Sequence, residues 1–150
     1  MRLVIQRVRE AAVQIAGRES GRIGVGLVVL IGCEPTDTAA DIEWLVSKLI
    51  SLKLFDNEAG EMDRSVMDAG GGILLVSQFT LFASTRKGTR PSWHRAAKPD
   101  HARPLYELFR QQLGLALGHP VATGEFGADM QVSLVNDGPV TLLIDSKSRE

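Results

Sequence analysis

The sequence predicts a mixed α+β domain on three observations. Short alternating or continuous apolar stretches lie near both ends, two segments carry apolar residues at helical spacing, and glycines or prolines stand where one pattern gives way to the next. Leu3, Ile5 and Val8, then Val13 and Ile15, alternate with polar residues and are punctuated by Gly17 and Gly21, which predicts two half-buried antiparallel strands. Residues 25–31 form a near-continuous apolar run closed by Gly32, the pattern of a central strand buried on both faces. After Pro35, Ile42, Leu45, Val46, Leu49 and Leu52 fall on one face of a helix covering the sheet, with Thr36, Asp37 or Thr38 as its N-cap.

In the second half, Gly70-Gly71-Gly72 reads as a turn into a buried strand at residues 73–76. That strand ends in the polar pair Ser77-Gln78, and a change of character at a strand end is where sites are often built. Residues 80–99 are rich in Thr, Ser, Arg and Lys and too long for a simple connection, so a functional or mobile loop is expected. Asp100 reads as the cap of a second helix, with Leu105, Leu108, Phe109 and Leu113 on one face, Pro104 accommodated in the first turn, and Gly118 and Pro120 ending it. Residues 121–126, 130–135 and 140–144 predict three short strands, the last two separated by Asn136-Asp137-Gly138-Pro139.

The chain has 150 residues, 44% hydrophobic and 23% charged, the balance of one ordinary globular domain spanning residues 1–150. That length buries roughly 68–70% of the unfolded surface, so a core forms without disulfides. Cys33 is the single cysteine, which points to a reducing, cytoplasmic setting and excludes a cysteine-rich metal site. The arginine-rich N-terminus does not resemble a signal peptide, and the apolar run at residues 27–31 is far short of the ~20 residues of a membrane helix, so no membrane role is expected. A net charge of −1 argues against a protein basic all over that coats nucleic acid, and no DNA partner is expected.

Metal and nucleotide signatures are absent. His94, His101 and His119 are not at ligand spacing, Cys33 is far from all three, and the glycine triplet precedes a strand instead of opening a helix. No metal or other cofactor is expected. Ser77 or Thr80 at the strand end is a candidate nucleophile, but there is no G-x-S-x-G elbow and no base nearby in sequence. Hydroxyls in that position more often serve as hydrogen-bonding groups.

Arg86, Lys87, Arg90, Arg95 and Lys98 form a basic segment with no acidic residue and with Trp93 and His94 interleaved, while the rest of the chain holds 12 basic against 18 acidic residues. Both a solvated loop and a loop that tracks phosphates of a single-stranded end fit this composition. Asn136-Asp137-Gly138-Pro139 fits a hairpin turn. It also fits a sharper use, since Gly-Pro tolerates the cis bond and Gly138 lets backbone approach a ligand closely.

Ser77-Gln78-Phe79-Thr80 resembles the SQFT motif, and Asn136-Asp137-Gly138-Pro139-Val140-Thr141 the NxGPxT motif, of the D-aminoacyl-tRNA deacylases. Residues 87–92, KGTRPS, residues 127–130, GADM, and the N-terminal MRLVIQRV extend the resemblance over essentially the whole chain. The core motifs show no departure, although Trp93 stands where a smaller aromatic is expected. The resemblance implies a compact α+β domain of two β layers and a helical layer, working as a homodimer with the site at the subunit interface. It implies hydrolysis of the ester joining a D-amino acid to the terminal adenosine of tRNA, a proofreading step of translation that excludes L-aminoacyl-tRNA and accepts glycyl-tRNA. The substrate is then the 3′ acceptor end of an aminoacyl-tRNA, with no cofactor.

Carried over residue by residue, the backbone amides of Phe79 and Thr80 would stabilise the oxyanion, helped by the tRNA 2′-hydroxyl, with Ser77 and Gln78 holding the strand end and the adenosine. Gly138-Pro139, in cis and contributed by the partner subunit, would exclude an L side chain, supported by Asn136, Val140, Thr141 and Met130. Arg86, Lys87 and Arg90 would contact the tRNA. Three alternatives stay open on the residues: a stand-alone editing domain for mischarged L-aminoacyl-tRNA, a non-catalytic module that binds RNA ends, and a generic esterase.

Overall fold

Strand β1 (Arg2–Ile15) organises the molecule: it pairs antiparallel with β8 (Gln131–Asp145) on one edge, and with both β2 (Arg18–Ile23) and β3 (Gly26–Gly32) on the other. In the computed structural model, which describes all 150 residues, β3 pairs in parallel with β6 (Gly72–Ser77), and β6 in parallel with β7 (Ala122–Thr123). These six strands form one sheet, and β4 (Phe55–Asp56) with β5 (Met62–Arg64) makes a separate two-stranded ribbon that the sequence patterning did not reveal.

The two predicted N-terminal strands are one. Leu3 and Ile5 pack into the core cluster shared with the helices, whereas Val8, Ala11 and Val13 pack into a second cluster with Ile23, Val28, Leu74 and Val76. Val8 faces away from Leu3 and Ile5 by ordinary alternation, since pairing with β3 runs in register through Val8, and the shift against β8 between Val8 and Glu10 then puts Ala11 and Val13 on the face of Val8; such a bulge bends a strand without ending it. Beyond the bend, β2 lies face-on against β6 and β7: the Ser20 hydroxyl donates to the Thr123 carbonyl at 2.9 Å, and a Cβ on Gly21 would lie 2.8 Å from that same oxygen. One sheet thereby supplies both β layers.

The last two predicted strands are also one. Val8 pairs with Asn136 and Gln6 with Thr141, so residues 137–140 stand opposite Arg7 alone as a bulge in β8, and the chain does not reverse as a hairpin reading requires. Of the predicted strand at 121–126 only Ala122–Thr123 pairs, since Gly124 and Gly127, the latter at φ +78°, take the chain out of the sheet.

The helical layer is α1 (Ala39–Ser51) and α2 (Pro99–Leu117), packed on each other and on the first cluster. Ile42, Leu45, Val46 and Leu49 form the buried stripe of α1, each apolar side chain contributing about 1.5–3 kcal/mol. Thr38 caps it in a capping box with Asp41. Helix α2 begins one residue before the predicted cap: Lys98 is the N-cap, Pro99 takes the first position, where a missing N–H costs nothing, and Asp100 stands in the first turn. Pro104 is in the second turn, so the Asp100 carbonyl loses its helical donor. Gly118 ends α2 in the left-handed conformation at φ +83°. No helix is long and apolar enough to cross a membrane.

Candidate functional site

Strand β6 leaves the sheet at Ser77 and tightens at once into a 3-10 helix, Phe79–Phe82. Its start is held by the Gln78 N–H, which donates to the Ile31 carbonyl at 2.7 Å and so ties the turn to the end of β3. The turn fits against β3 because Gly32 has no side chain: a Cβ there would lie 2.9 Å from the Gln78 carbonyl oxygen and 3.2 Å from Phe82 Cδ2. Phe82 is fully buried beneath it.

As the first residues of this helix, Phe79 and Thr80 have N–H groups with no acceptor inside it, and neither donates among the backbone bonds outside helices and strands. The Gln78 side chain does not cap them; its amide donates instead to the Thr80 hydroxyl. Two adjacent amides at a strand end are the arrangement that stabilises charge developing on a carbonyl oxygen.

Ser77, Gln78 and Phe79, but not Thr80, border a cavity of about 530 Å³ lined mainly by apolar groups, among them Ile31, Val76, Tyr106, Phe126 and Met130, with Trp93 and Lys98 contributing as well. Tyr106 on α2 is fixed by its hydroxyl donating to the buried Leu75 carbonyl at 3.3 Å and by the Phe126 ring, 5.7 Å away between centroids. Exposed Phe79 and Trp93 meet edge to face at 5.3 Å. Cys33 also lines the cavity, and burial, reinforced by the charge of Asp37, pushes its thiol up to about 12, so it stays protonated and unreactive.

No nucleophile–base pair faces this cavity. Thr80 is engaged by Gln78, and His94 is turned to the Ser92 hydroxyl, 2.9 Å from its Nδ1. No group of three or more His, Cys, Asp or Glu side chains is arranged to hold a metal ion.

The basic segment is a closed loop. Ser84 and Ser92 exchange two backbone hydrogen bonds of 2.9 Å, and Gly88 at φ +67° turns the tip. Arg86, Lys87 and Arg90 are exposed and none makes a salt bridge, so their charges face solvent uncompensated.

Asn136, Gly138, Pro139, Val140 and Thr141 lie outside this cavity. The Gly138-Pro139 bond is cis. The Asn136 side chain clasps the segment, donating to the Thr141 hydroxyl at 3.1 Å and accepting from the Val140 N–H at 3.2 Å. From below, buried Arg7 donates to the Asp137 carbonyl at 3.1 Å and the Leu54 carbonyl at 2.8 Å, and pairs with Asp56 at 3.2 Å. Sequence reasoning missed Arg7; its only trace was a charge at the place where the alternation of Leu3 and Ile5 predicts an inward side chain.

A family profile described as D-Tyr-tRNA(Tyr) deacylase matches residues 4–145. Two proteins named D-aminoacyl-tRNA deacylase, from Parabacteroides distasonis and Dechloromonas aromatica, are 57% and 56% identical over 150 residues, the full length of both chains in each pair. A solved structure titled c-Myc DNA Unwinding Element Binding Protein superposes with a TM-score of 0.90 at 39% identity, covering 97% of this chain and 98% of that one. A structure titled as a probable eukaryotic D-amino acid tRNA deacylase shares the fold, with a TM-score of 0.84 at 19% identity over 95% of this chain and 97% of its own. By its motifs, its fold and its full-length relatives, this chain belongs to the D-Tyr-tRNA(Tyr) deacylase family.

Proposed function

We propose that this chain is a D-aminoacyl-tRNA deacylase that acts through backbone amides. The observation that carries this reading is the pair of unbonded N–H groups at Phe79, which lines an apolar cavity without a nucleophile–base pair, and at Thr80, the next residue along the chain. Water attacks the ester carbonyl carbon, the two amides receive the oxyanion, and the bond to the ribose 3′-oxygen breaks as that oxygen gains a proton. The neighbouring 2′-hydroxyl of the tRNA assists, so the enzyme needs no side-chain base. Ser77 and Gln78 hold the strand end, Met130 and its neighbours line the cavity, and Arg86, Lys87 and Arg90 meet tRNA phosphates in the cytoplasm.

Chiral choice is assigned to a homodimer. Gly138 and Pro139, which do not line the cavity of their own chain, reach the cavity of a second copy and present backbone carbonyls to the substrate α-carbon, with Asn136, Val140 and Thr141 keeping the segment rigid. An L side chain collides there and a D side chain does not, which is specificity by exclusion, and glycine passes.

The test is deacylation of matched D- and L-tyrosyl-tRNA by the purified protein, with sedimentation to give the oligomeric state. Hydrolysis of the D form alone by a dimer is expected. Preference for the L form would assign an editing domain, binding without turnover an RNA-end module, and cleavage of small activated esters but not tRNA a generic esterase.

A further inference from the structure

Arg2, Gly32 and Asp145 form one row across the sheet, since Arg2 pairs in register with Gly32 of β3 and with Asp145 of β8. Paired residues share a face, and on this face the missing side chain of Gly32 makes room for the 3-10 helix. Arg2 uses that room. Its Nε donates to Asp145 Oδ2 at 2.7 Å, its Nη1 donates to the Leu81 carbonyl at 3.1 Å, and its guanidinium lies 4.6 Å from the centroid of the buried Phe82 ring. The Leu81 carbonyl needs such a donor, because the next N–H able to reach it, that of Ser84, is turned to the Ser92 carbonyl instead.

We infer that Arg2 is a positioning residue for hydrolysis: gripping the Leu81 carbonyl and the Phe82 ring, it fixes the 3-10 helix so that the Phe79 and Thr80 amides point at the oxyanion. This inference rests on the proposed role of those amides. The planar fork is what the role requires. A guanidinium donates along two directions while its face covers a ring, whereas an ammonium on a flexible stem is a point charge that cannot make all three interactions at once. Asp145 holds the fork on its sheet side and so sets its angle.

Because Arg2 does not line the cavity and acts only through the helix, loss of the grip falls on turnover. In steady-state deacylation of D-tyrosyl-tRNA, Arg2→Ala is expected to lower kcat roughly tenfold to a hundredfold, the scale on which ångström misplacement acts, with KM within about twofold. Guanidinium ion at sub-denaturing concentration should restore part of that kcat. Arg2→Lys should recover less than half of the loss on a logarithmic scale, and Asp145→Asn should show a smaller loss of the same kind. The amide resonances of Phe79 and Thr80 should move in Arg2→Lys while those of Ala122 and Thr123 stay.

A kcat within threefold of wild type for both Arg2 variants would overturn the inference, as would a loss that follows melting temperature and is not restored by guanidinium. Should Arg2→Ala fail to fold, the rate and amide shifts of Arg2→Lys decide. Wild type inactive on D-tyrosyl-tRNA would remove the deacylase reading and this inference together. Wild type active with indifferent Arg2 variants removes this inference alone.

Discussion

The Thr80 hydroxyl accepts a hydrogen bond from the side-chain amide of Gln78, and no histidine or carboxylate stands in a position to take its proton. The oxygen that would be the nucleophile of a covalent mechanism is thereby occupied in holding the turn. Thr80→Ala keeps the backbone N–H and loses only this clasp, so it should retain turnover within about tenfold of wild type. That is far from the roughly 10⁶-fold loss that follows removal of a true nucleophile. Single-turnover kinetics, with a search for an acyl-enzyme on the wild type, decides between the two.

Arg86, Lys87 and Arg90 project from the tip of the 84–92 loop with no acidic partner. Neutralising all three should weaken tRNA binding and leave the D-to-L preference unchanged, since cations on phosphates position a nucleic acid without reading the amino acid. Each phosphate that is no longer neutralised should flatten the plot of log affinity against log salt by roughly 0.7–0.9. An unchanged slope would make the segment a solvated loop.

Where one periodicity runs unbroken the sequence foretells the structure well: β3 with both faces buried, α1 with its Ile42, Leu45 and Leu49 stripe, and β6 ending at Ser77 were all legible. The continuity of β1 and β8 was not. A bulge inverts the apolar phase just as a turn would, and only pairing shows that Val8 and Asn136 remain partners. The candidate site at residues 77–80 was marked in the sequence by its motif, at the point where the structure ends β6 and starts a 3-10 helix. The arginines that brace it and its counterpart were not, because Arg2 and Arg7 act on carbonyls at Leu81 and Asp137, and hydrogen bonds across such sequence distances leave no local pattern.

Cys33 lines the cavity, yet burial keeps its thiol protonated, with a value pushed up to about 12. The reactive thiolate is scarce at neutral pH. Iodoacetamide at pH 7.5 should therefore leave both the free-thiol mass and the deacylation rate unchanged over the time in which a free cysteine is fully alkylated. Rapid alkylation of the native protein would show that this end of β3 opens to solvent.

Asp41 ties the start of α1 to the C-terminal segment: its Oδ2 accepts from the Thr38 N–H at 2.9 Å and from Lys147 Nζ at 3.0 Å. Burial disfavours its charge, but hydrogen bonds from Ser146, Thr38 and Lys147 outweigh that and hold the carboxyl down at about 2, below its ordinary 3.8. A value depressed in the folded state stabilises the fold above the ordinary value and ceases to do so as pH falls toward 2. Asp41→Asn should cost about 1 kcal/mol at pH 7, after allowance for solvent screening around Lys147. Denaturant melts should show that difference shrinking between pH 4 and 2; a difference that grows on acidification would reverse the assignment.

Gly32 is where the fold and the site meet, because a Cβ there would press on the Gln78 carbonyl at 2.9 Å, Leu81 Cβ at 3.1 Å and Phe82 Cδ2 at 3.2 Å. Phe82 is fully buried and the Gln78 carbonyl is backbone, so neither yields cheaply, and the 3-10 helix must lift from β3 to admit a methyl group. Gly32→Ala should lower stability by about 1–3 kcal/mol through overpacking. It should also lower kcat on D-tyrosyl-tRNA by roughly tenfold or more, because the amides of Phe79 and Thr80 move with the turn. Gly24→Ala is the control, since a Cβ at Gly24 meets nothing within 4 Å. Measured well below their melting temperatures, the two variants separate a displaced site from a weakened fold. Full turnover by a folded Gly32→Ala protein would mean that the position of this turn does not govern hydrolysis.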